Sequence, residues 1–440
     1  VAAVLVVLVG AAVLVAARAV PWRWPRRPAR AAEEAALAGI PADEVAKGRA
    51  LRKELRPVRY AGMLVDLGIA LLLGLTPLGA AIVTGVASLL GVDLEGGSAG
   101  GSAGRSGDGQ LSGGQVTGGW QLVAAVVGGL VVVAVPVVVG MPFTARRRSV
   151  LRRYGLLTQT FAGFVVDLVK GAALGVVLGG LVLAAYFWVV AALPELWWLV
   201  LAGAAAALAV LMSLVFPVLI EPVFNKFTPM AESPLRTGLL ALAAGDGIPV
   251  RDVLVADASR RTRAVNAYVS GFGPTRRIVV YDTLLEAAPD GEVTVVVAHE
   301  LGHARYRDVV TGTALGALGA AAGACALYLV GGWAGLFHLG GSDGPGDPRA
   351  MGLLMALATV AGLLGGPASA AVTRRAESRA DAHSLVLTGD PETFAAMHRR
   401  LATRNLADPD PPRLEQLLFG THPTTVQRIA MGADPANYRV

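Results

Sequence analysis

The sequence predicts a mainly α, polytopic membrane protein with seven spans, joined to an α+β domain that carries a metal-binding motif on the cytoplasmic face. Three observations predict it. Of 440 residues, 54% are hydrophobic and 16% charged, against about 25% charged in an ordinary soluble domain; mean hydropathy is +0.58, so long apolar stretches must face lipid. Basic residues crowd the loops on one side of those stretches and are scarce on the other, which is the mark of membrane topology. Finally, His299-Glu300-Leu301-Gly302-His303 follows the apolar run Val293–Ala298 and forms an HExxH motif at helical spacing.

Crossing about 30 Å of hydrocarbon takes about 20 residues. Seven segments are long enough: Val1–Val20, Ala61–Val92, Gly119–Phe143, Phe164–Leu193, Leu196–Ile220, Val309–Phe337 and Ala350–Val372. Ala17-Arg18-Ala19 resembles a signal-peptidase site, but the basic sequence after it would resist export, so the first segment reads as an uncleaved span. Ten Lys or Arg between Arg23 and Arg59 follow it, five Arg between Arg146 and Arg153 follow the third span, and Arg374, Arg375 and Arg379 follow the seventh. The opposite loops carry only Arg105 and Arg349, with none at the Pro194 turn. This bias places the N-terminus outside and both HExxH and the C-terminus in the cytoplasm. Residues 93–118, rich in Gly and Ser, read as a flexible extracytoplasmic linker. Asp66, Asp167 and Lys170 are polar residues within or beside spans, facing either a bundle interior or the interface; Asp167 and Lys170, three apart, read as a pair on one helix face. The organisation is then residues 1–220 with five spans, and residues 221–440 with HExxH and the last two. The single cysteine, Cys325, excludes an intramolecular disulfide and a cysteine-rich metal site. The net charge of +6 is explained by the loops, and no aromatic-plus-basic nucleic-acid motif is visible.

Residues four apart on a helix share a face, so His299 and His303 can grip one metal ion together, with Glu300 beside it to take a proton from a bound water. That is the arrangement of a zinc peptidase. The chain has only six histidines, so chance is a poor explanation for two of them at this spacing around a Glu. A catalytic zinc usually has three protein ligands. Glu377 in Arg374-Arg375-Ala376-Glu377-Ser378-Arg379-Ala380-Asp381 is a candidate, and Asp381, one turn on, is placed to accept a hydrogen bond from a ligand histidine. An exposed helix with i,i+4 charge pairs would give the same pattern. Depth favours the ligand reading: His303 precedes span six, and Glu377 follows span seven, each by about five residues or roughly 7 to 8 Å.

Val253–Ala256, Val265–Ser270 and Arg277–Asp282 read as short strands. An exposed edge among them could bind peptide by strand addition. Asn266 and Tyr268 share one strand face, either for that purpose or for ordinary packing. His422-Pro423 is a surface turn or the donor to a developing oxyanion. His338 falls in an extracytoplasmic loop, and His383 and His398 have no motif around them.

These residues together resemble the type I CAAX prenyl endopeptidases, integral-membrane zinc proteases of the gluzincin kind. The resemblance rests on Pro222-Val223-Phe224-Asn225-Lys226-Phe227-Thr228-Pro229, on Asn266–Gly273 followed by Arg277–Leu285, and on His299–His303, Glu377 with Asp381, and His422-Pro423 in family order. It is sharp from about Glu221 onward and mainly topological before. It implies a barrel of seven transmembrane helices around a water-filled chamber, capped by a metallopeptidase domain. It also implies one zinc held by His299, His303 and Glu377, with Glu300 as base, His422 and Arg428 binding substrate and stabilising the intermediate, and Asn266 binding substrate backbone. Two departures are Thr424, where many relatives have a second proline, and the Gly/Ser stretch, which looks like an insertion. The Ala/Gly/Val/Arg-rich composition resembles bacterial plasma-membrane proteins.

The reading is therefore a cytoplasm-facing zinc endopeptidase that cleaves peptides or proteins, lipidated ones included, at the bilayer. A non-enzymatic scaffold or transporter with a relic zinc site is the alternative, and the intact Glu300 argues against it. An intramembrane-cleaving protease would carry HExxH inside an apolar span, whereas Arg305, Arg307 and Asp308 follow the motif here.

Overall fold

Seven helices of the computed structural model, which describes residues 1–94, 116 and 118–438, are long and apolar enough to cross a membrane. They are Ala2–Ala19, Ala42–Leu75, Gly119–Arg153, Phe161–Ala192, Trp197–Phe224, Asp308–Gly331 and Pro348–Thr388. Most of the expected linker, residues 95–115 and 117, lies outside the described residues. The helices pack as a ring. The first lies on the sixth, the sixth on the fifth, the fifth on the fourth, the fourth on the third, the third beside the second, and the second on the seventh. Arg379 closes the ring by donating to the Ala19 carbonyl at 3.1 Å. The second and seventh helices approach backbone to backbone at Gly352, where a Cβ would lie 2.1 Å from the Leu73 carbonyl oxygen. No larger residue fits there.

Two expectations need correction. The second span does not continue from Ala61 to Val92. Its helix ends at Leu75, and a separate helix, Leu78–Leu89, follows. Pro77 disfavours helical backbone at the residue before it, and Thr76 is extended (φ −132°, ψ 161°). Asp167 and Lys170 do not pair. Arg261 reaches across from the other half of the chain and grips both Asp167 oxygens, at 2.8 and 3.0 Å, while Lys170 donates to the Val223 carbonyl at 2.9 Å. A planar guanidinium binds a carboxylate with two parallel bonds, which a lysine three residues away cannot match.

Beyond the fifth span four strands form one sheet in the order β1-β2-β4-β3. These are β1 (Phe227–Pro229), β2 (Asp252–Ala256), β3 (Ala267–Ser270) and β4 (Arg277–Tyr281). β2 and β4 run parallel, and the outer pairs antiparallel. The buried faces of β2 and β4, Val253, Ile278 and Val280, share a core with Val293, Val295, Val297 and Leu301 of the HExxH helix. β3 is left as an edge. The basic loop after the first span belongs physically to this half: Ala36, Ile40 and Val45 pack against Val426, Ile429 and Ala430.

Candidate metal centre

The HExxH helix spans Asp290–Arg305. Its run of valines favours strand in isolation, but every turn of it is buried against the sheet and the seventh helix, and burial overrides propensity. Asp290 and Glu292 complement the positive end of its dipole, and Arg400 grips Glu292 with two bonds of 2.6 and 3.0 Å. Arg307, in the left-handed region at φ 57°, breaks the chain between this helix and the sixth span. That reversal brings Asp308 back to His303, and its Oδ2 lies 2.8 Å from Nδ1.

The third element is the helix Met351–Thr388, which continues the seventh span without interruption. Gly302 lets it approach. A Cβ at Gly302 would sit 3.1 Å from Ala380 Cα and 3.2 Å from His383 Cβ. The close crossing brings Glu377 between the two histidines, with Oε2 3.2 Å from His299 Nε2 and Oε1 3.5 Å from His303 Nε2.

The tautomers follow from the partners. His299 Nδ1 faces Asp381 at 2.9 Å and His303 Nδ1 faces Asp308. A carboxylate only accepts, so both Nδ1 atoms carry a proton, and in the neutral imidazoles both Nε2 atoms present lone pairs. The two Nε2 atoms lie 3.2 Å apart beside Glu377 Oε2, which is buried without a hydrogen-bond partner. All three ligand atoms fall within 4.8 Å of one another. Three converging electron pairs repel unless a cation sits among them, so the donor set fits a metal ion. Burial would lower both imidazoles, yet the carboxylates outweigh it. Asp381 and Glu377 raise His299, and Asp308 and Glu377 hold His303 up at about 10. Burial pushes the half-buried Glu300 carboxyl up. The set thus holds positive charge strongly, as protons or as metal.

A cleft of about 480 Å³ opens onto this group. The edge strand β3 and its flanks form one wall, including Asn266, Tyr268 and Phe272; Glu300, His303, Glu377 and His422 line it too. Ala19–Pro21, just past the first span, line it as well. Asn266 precedes β3, and its carbonyl accepts from Tyr281 N at 3.1 Å; Tyr268 OH donates to Glu221 at the end of the fifth helix. His422 is half-exposed with Nε2 3.3 Å from Glu377 Oε2.

Arg428 does not line the cleft. Its guanidinium clamps Asp381 with Nε–Oδ2 at 2.8 Å and Nη2–Oδ1 at 2.5 Å, behind His299. Sequence reasoning missed Asp308 and Arg379. Arg379 donates to the other Asp308 oxygen and stacks on Tyr306. His398 is fully buried with Nε2 3.7 Å from Asp381 Oδ1, and His383 bonds Asp246 at 3.0 Å. His338 lies far from the group, beside Asp343.

Comparison with known proteins gives a consistent picture. Residues 229–432 match the family model described as peptidase family M48, and residues 110–226 match the one described as CAAX prenyl protease N-terminal, five membrane helices. An uncharacterized metalloprotease, YhfN, of Bacillus subtilis is 31% identical over 63% of this chain and 65% of its own length. A CAAX prenyl protease 1 homolog of Oryza sativa is 36% identical over 39% of this chain and 40% of its own, and CAAX prenyl protease 1 of Saccharomyces cerevisiae is 31% identical over 39% and 38%. The chain thus spans less than two thirds of each of these relatives. The crystal structure of S. mikatae Ste24p shares the fold, with a TM-score of 0.65 at 22% identity, covering 71% of this chain and 76% of that one.

Proposed function

Because this chain belongs to peptidase family M48, among the members that resemble CAAX prenyl proteases, we propose that it is a membrane-embedded, zinc-dependent endopeptidase whose site faces the cytoplasm. The observation that carries the proposal is the convergence of two Nε2 lone pairs and one orphaned carboxylate oxygen beside Glu300. Two imidazoles and one carboxylate suit zinc with one position left open, whereas magnesium and calcium take oxygen ligands. The basic loops on the side of the metal centre support the cytoplasmic orientation.

His299, His303 and Glu377 would hold the ion, which when bound acidifies water and polarises the scissile carbonyl. Glu300 accepts the proton of the attacking water and passes it to the leaving amine; a carboxyl raised by burial suits both tasks. His422, open to the cleft, donates to the oxygen that gains charge. The free edge of β3 accepts substrate as an added strand, with Asn266 beside it for backbone contacts. Asp381 and Asp308 orient the two histidines, and Arg428 acts through Asp381. Substrates are peptides or proteins presented at the bilayer, lipidated ones included. The molecule divides after residue 220 into a membrane region and a peptidase region that includes the last two spans.

The test is metal analysis of purified variants. His299→Ala, His303→Ala and Glu377→Ala should each lose most bound zinc, since two ligands hold it poorly. One zinc per chain retained by Glu377→Ala would remove the third ligand from this account.

A further inference from the structure

A second cleft, of about 410 Å³, lies on the opposite side of the seventh helix from the metal centre. Arg374, Arg375 and Ser378 line it, whereas Thr373, Ala376 and Glu377 of the same helix line the metal cleft. Its charge has one sign: Arg26, Arg27, Arg374, Arg375 and Arg413 face a single acid, Asp410. It opens through Arg27 and Arg413 into a larger cleft, of about 990 Å³, lined by Arg49, Arg52, Lys53 and Arg56. Much of this charge is already matched. Arg27 pairs with Glu33 at 3.0 Å, Arg52 and Arg56 pair with Glu415 at 3.2 and 2.8 Å, and Arg374 donates to chain carbonyls. Among the described residues, Arg26, Arg375 and Arg413 make no ion pair. Arg26 and Arg413 are exposed and Arg375 is half-buried; with one acid among five arginines, the cleft carries a net positive field that attracts an anion.

The position of the cleft says which anion. Arg374 and Arg375 stand two and three residues past Val372, where the apolar run ends, so they lie about 3 to 5 Å beyond the hydrocarbon. That is headgroup depth. Trp22, Ala371 and Leu417 give the cleft an apolar side, as an amphiphile requires.

The cleft also touches the loop that carries His422. Arg374 Nη1 donates to the carbonyls of Gln416 at 3.0 Å, Leu417 at 3.3 Å and Gly420 at 2.5 Å. Gln416 in turn donates to the His422 carbonyl at 2.5 Å, and Pro423 itself lines the cleft. We propose that this cleft binds the phosphate headgroup of an anionic glycerophospholipid, and that the bound lipid steadies the His422 loop and so raises turnover. The second half rests on the peptidase reading; the first does not.

Binding is therefore read on the full-length Glu300→Gln protein, by native mass spectrometry with phosphatidylglycerol or phosphatidylcholine added in detergent. Phosphatidylglycerol should bind selectively. Arg375→Gln with Arg413→Gln should weaken it about 25-fold, about fivefold per arginine. Arg251→Gln with Arg404→Gln, an equal charge change at residues that line neither basic cleft, should leave it unchanged. Equal weakening by the distant pair would reduce the effect to general surface charge and overturn the site. Displacement of the lipid by millimolar inorganic phosphate would make it a site for free phosphate and overturn the lipid assignment. In the second arm, wild-type turnover should be higher in vesicles containing phosphatidylglycerol than in phosphatidylcholine alone. The Arg375→Gln/Arg413→Gln variant should keep the basal rate and lose the increase. Selective binding without any rise in turnover would sink the coupling to His422.

Discussion

His299 and His303 are four residues apart on one helix, yet their supports come from opposite directions. Asp381 fixes the first from the seventh helix and Asp308 fixes the second from the start of the sixth. The grouping of His299, His303 and Glu300 is legible in sequence because their spacing is local. Asp308 and Arg379 are not, because their meeting depends on a left-handed turn at Arg307 and on a partner 71 residues away. Arg428 illustrates the same limit: its 47-residue separation from Asp381 hides the clamp. His422 is the residue where two readings differ measurably. Its imidazole is 54% exposed, so its packing contributes little. In His422→Ala, zinc content and melting temperature should hold while kcat falls by about 10²–10³. Wild-type kcat in that variant would leave it a turn residue and send the search for the oxyanion donor elsewhere.

At the level of elements, the site is made by one crossing. The HExxH helix and the continuation of the seventh span meet at Gly302, and the Cβ distances of 3.1 and 3.2 Å are tighter than ordinary van der Waals contact, so a side chain there must push its neighbours back. Gly302→Val should force the helices apart, cost about 1–3 kcal/mol by overpacking, and lower zinc occupancy by withdrawing Glu377. Melting temperature and metal content measured on one sample check this; if neither moves, the close approach is not what positions Glu377. Hydropathy located all seven long helices because lipid demands continuous apolar length. It could not see the break at Thr76-Pro77, since the residues on both sides are equally apolar. The strands β2 and β4 announced themselves through Val, Ile and Tyr, whereas β1, only Phe227–Pro229, is too short to carry an alternating pattern.

For the whole molecule, the ring of helices and the sheet-bearing half are tied together where the long apolar helices end. The ties are Arg261 on Asp167, Arg379 on Ala19, and Thr158 on Ser259. The proposed cytoplasmic orientation rests on the distribution of basic loops. Cysteines at His338 and Ala231, both exposed, in a Cys325→Ala background test it. The first should react with an impermeant thiol reagent added to intact cells and the second only after permeabilisation; the reverse pattern would invert the orientation. The central claim is that the convergent donor set serves peptide hydrolysis with Glu300 as base, and Glu300→Gln tests it most directly. Zinc content and cleavage of a peptide substrate are measured on the same purified protein. The account predicts one zinc per chain, an unchanged fold and turnover lowered by about 10²–10⁴. Wild-type turnover by a zinc-loaded Glu300→Gln protein would contradict it.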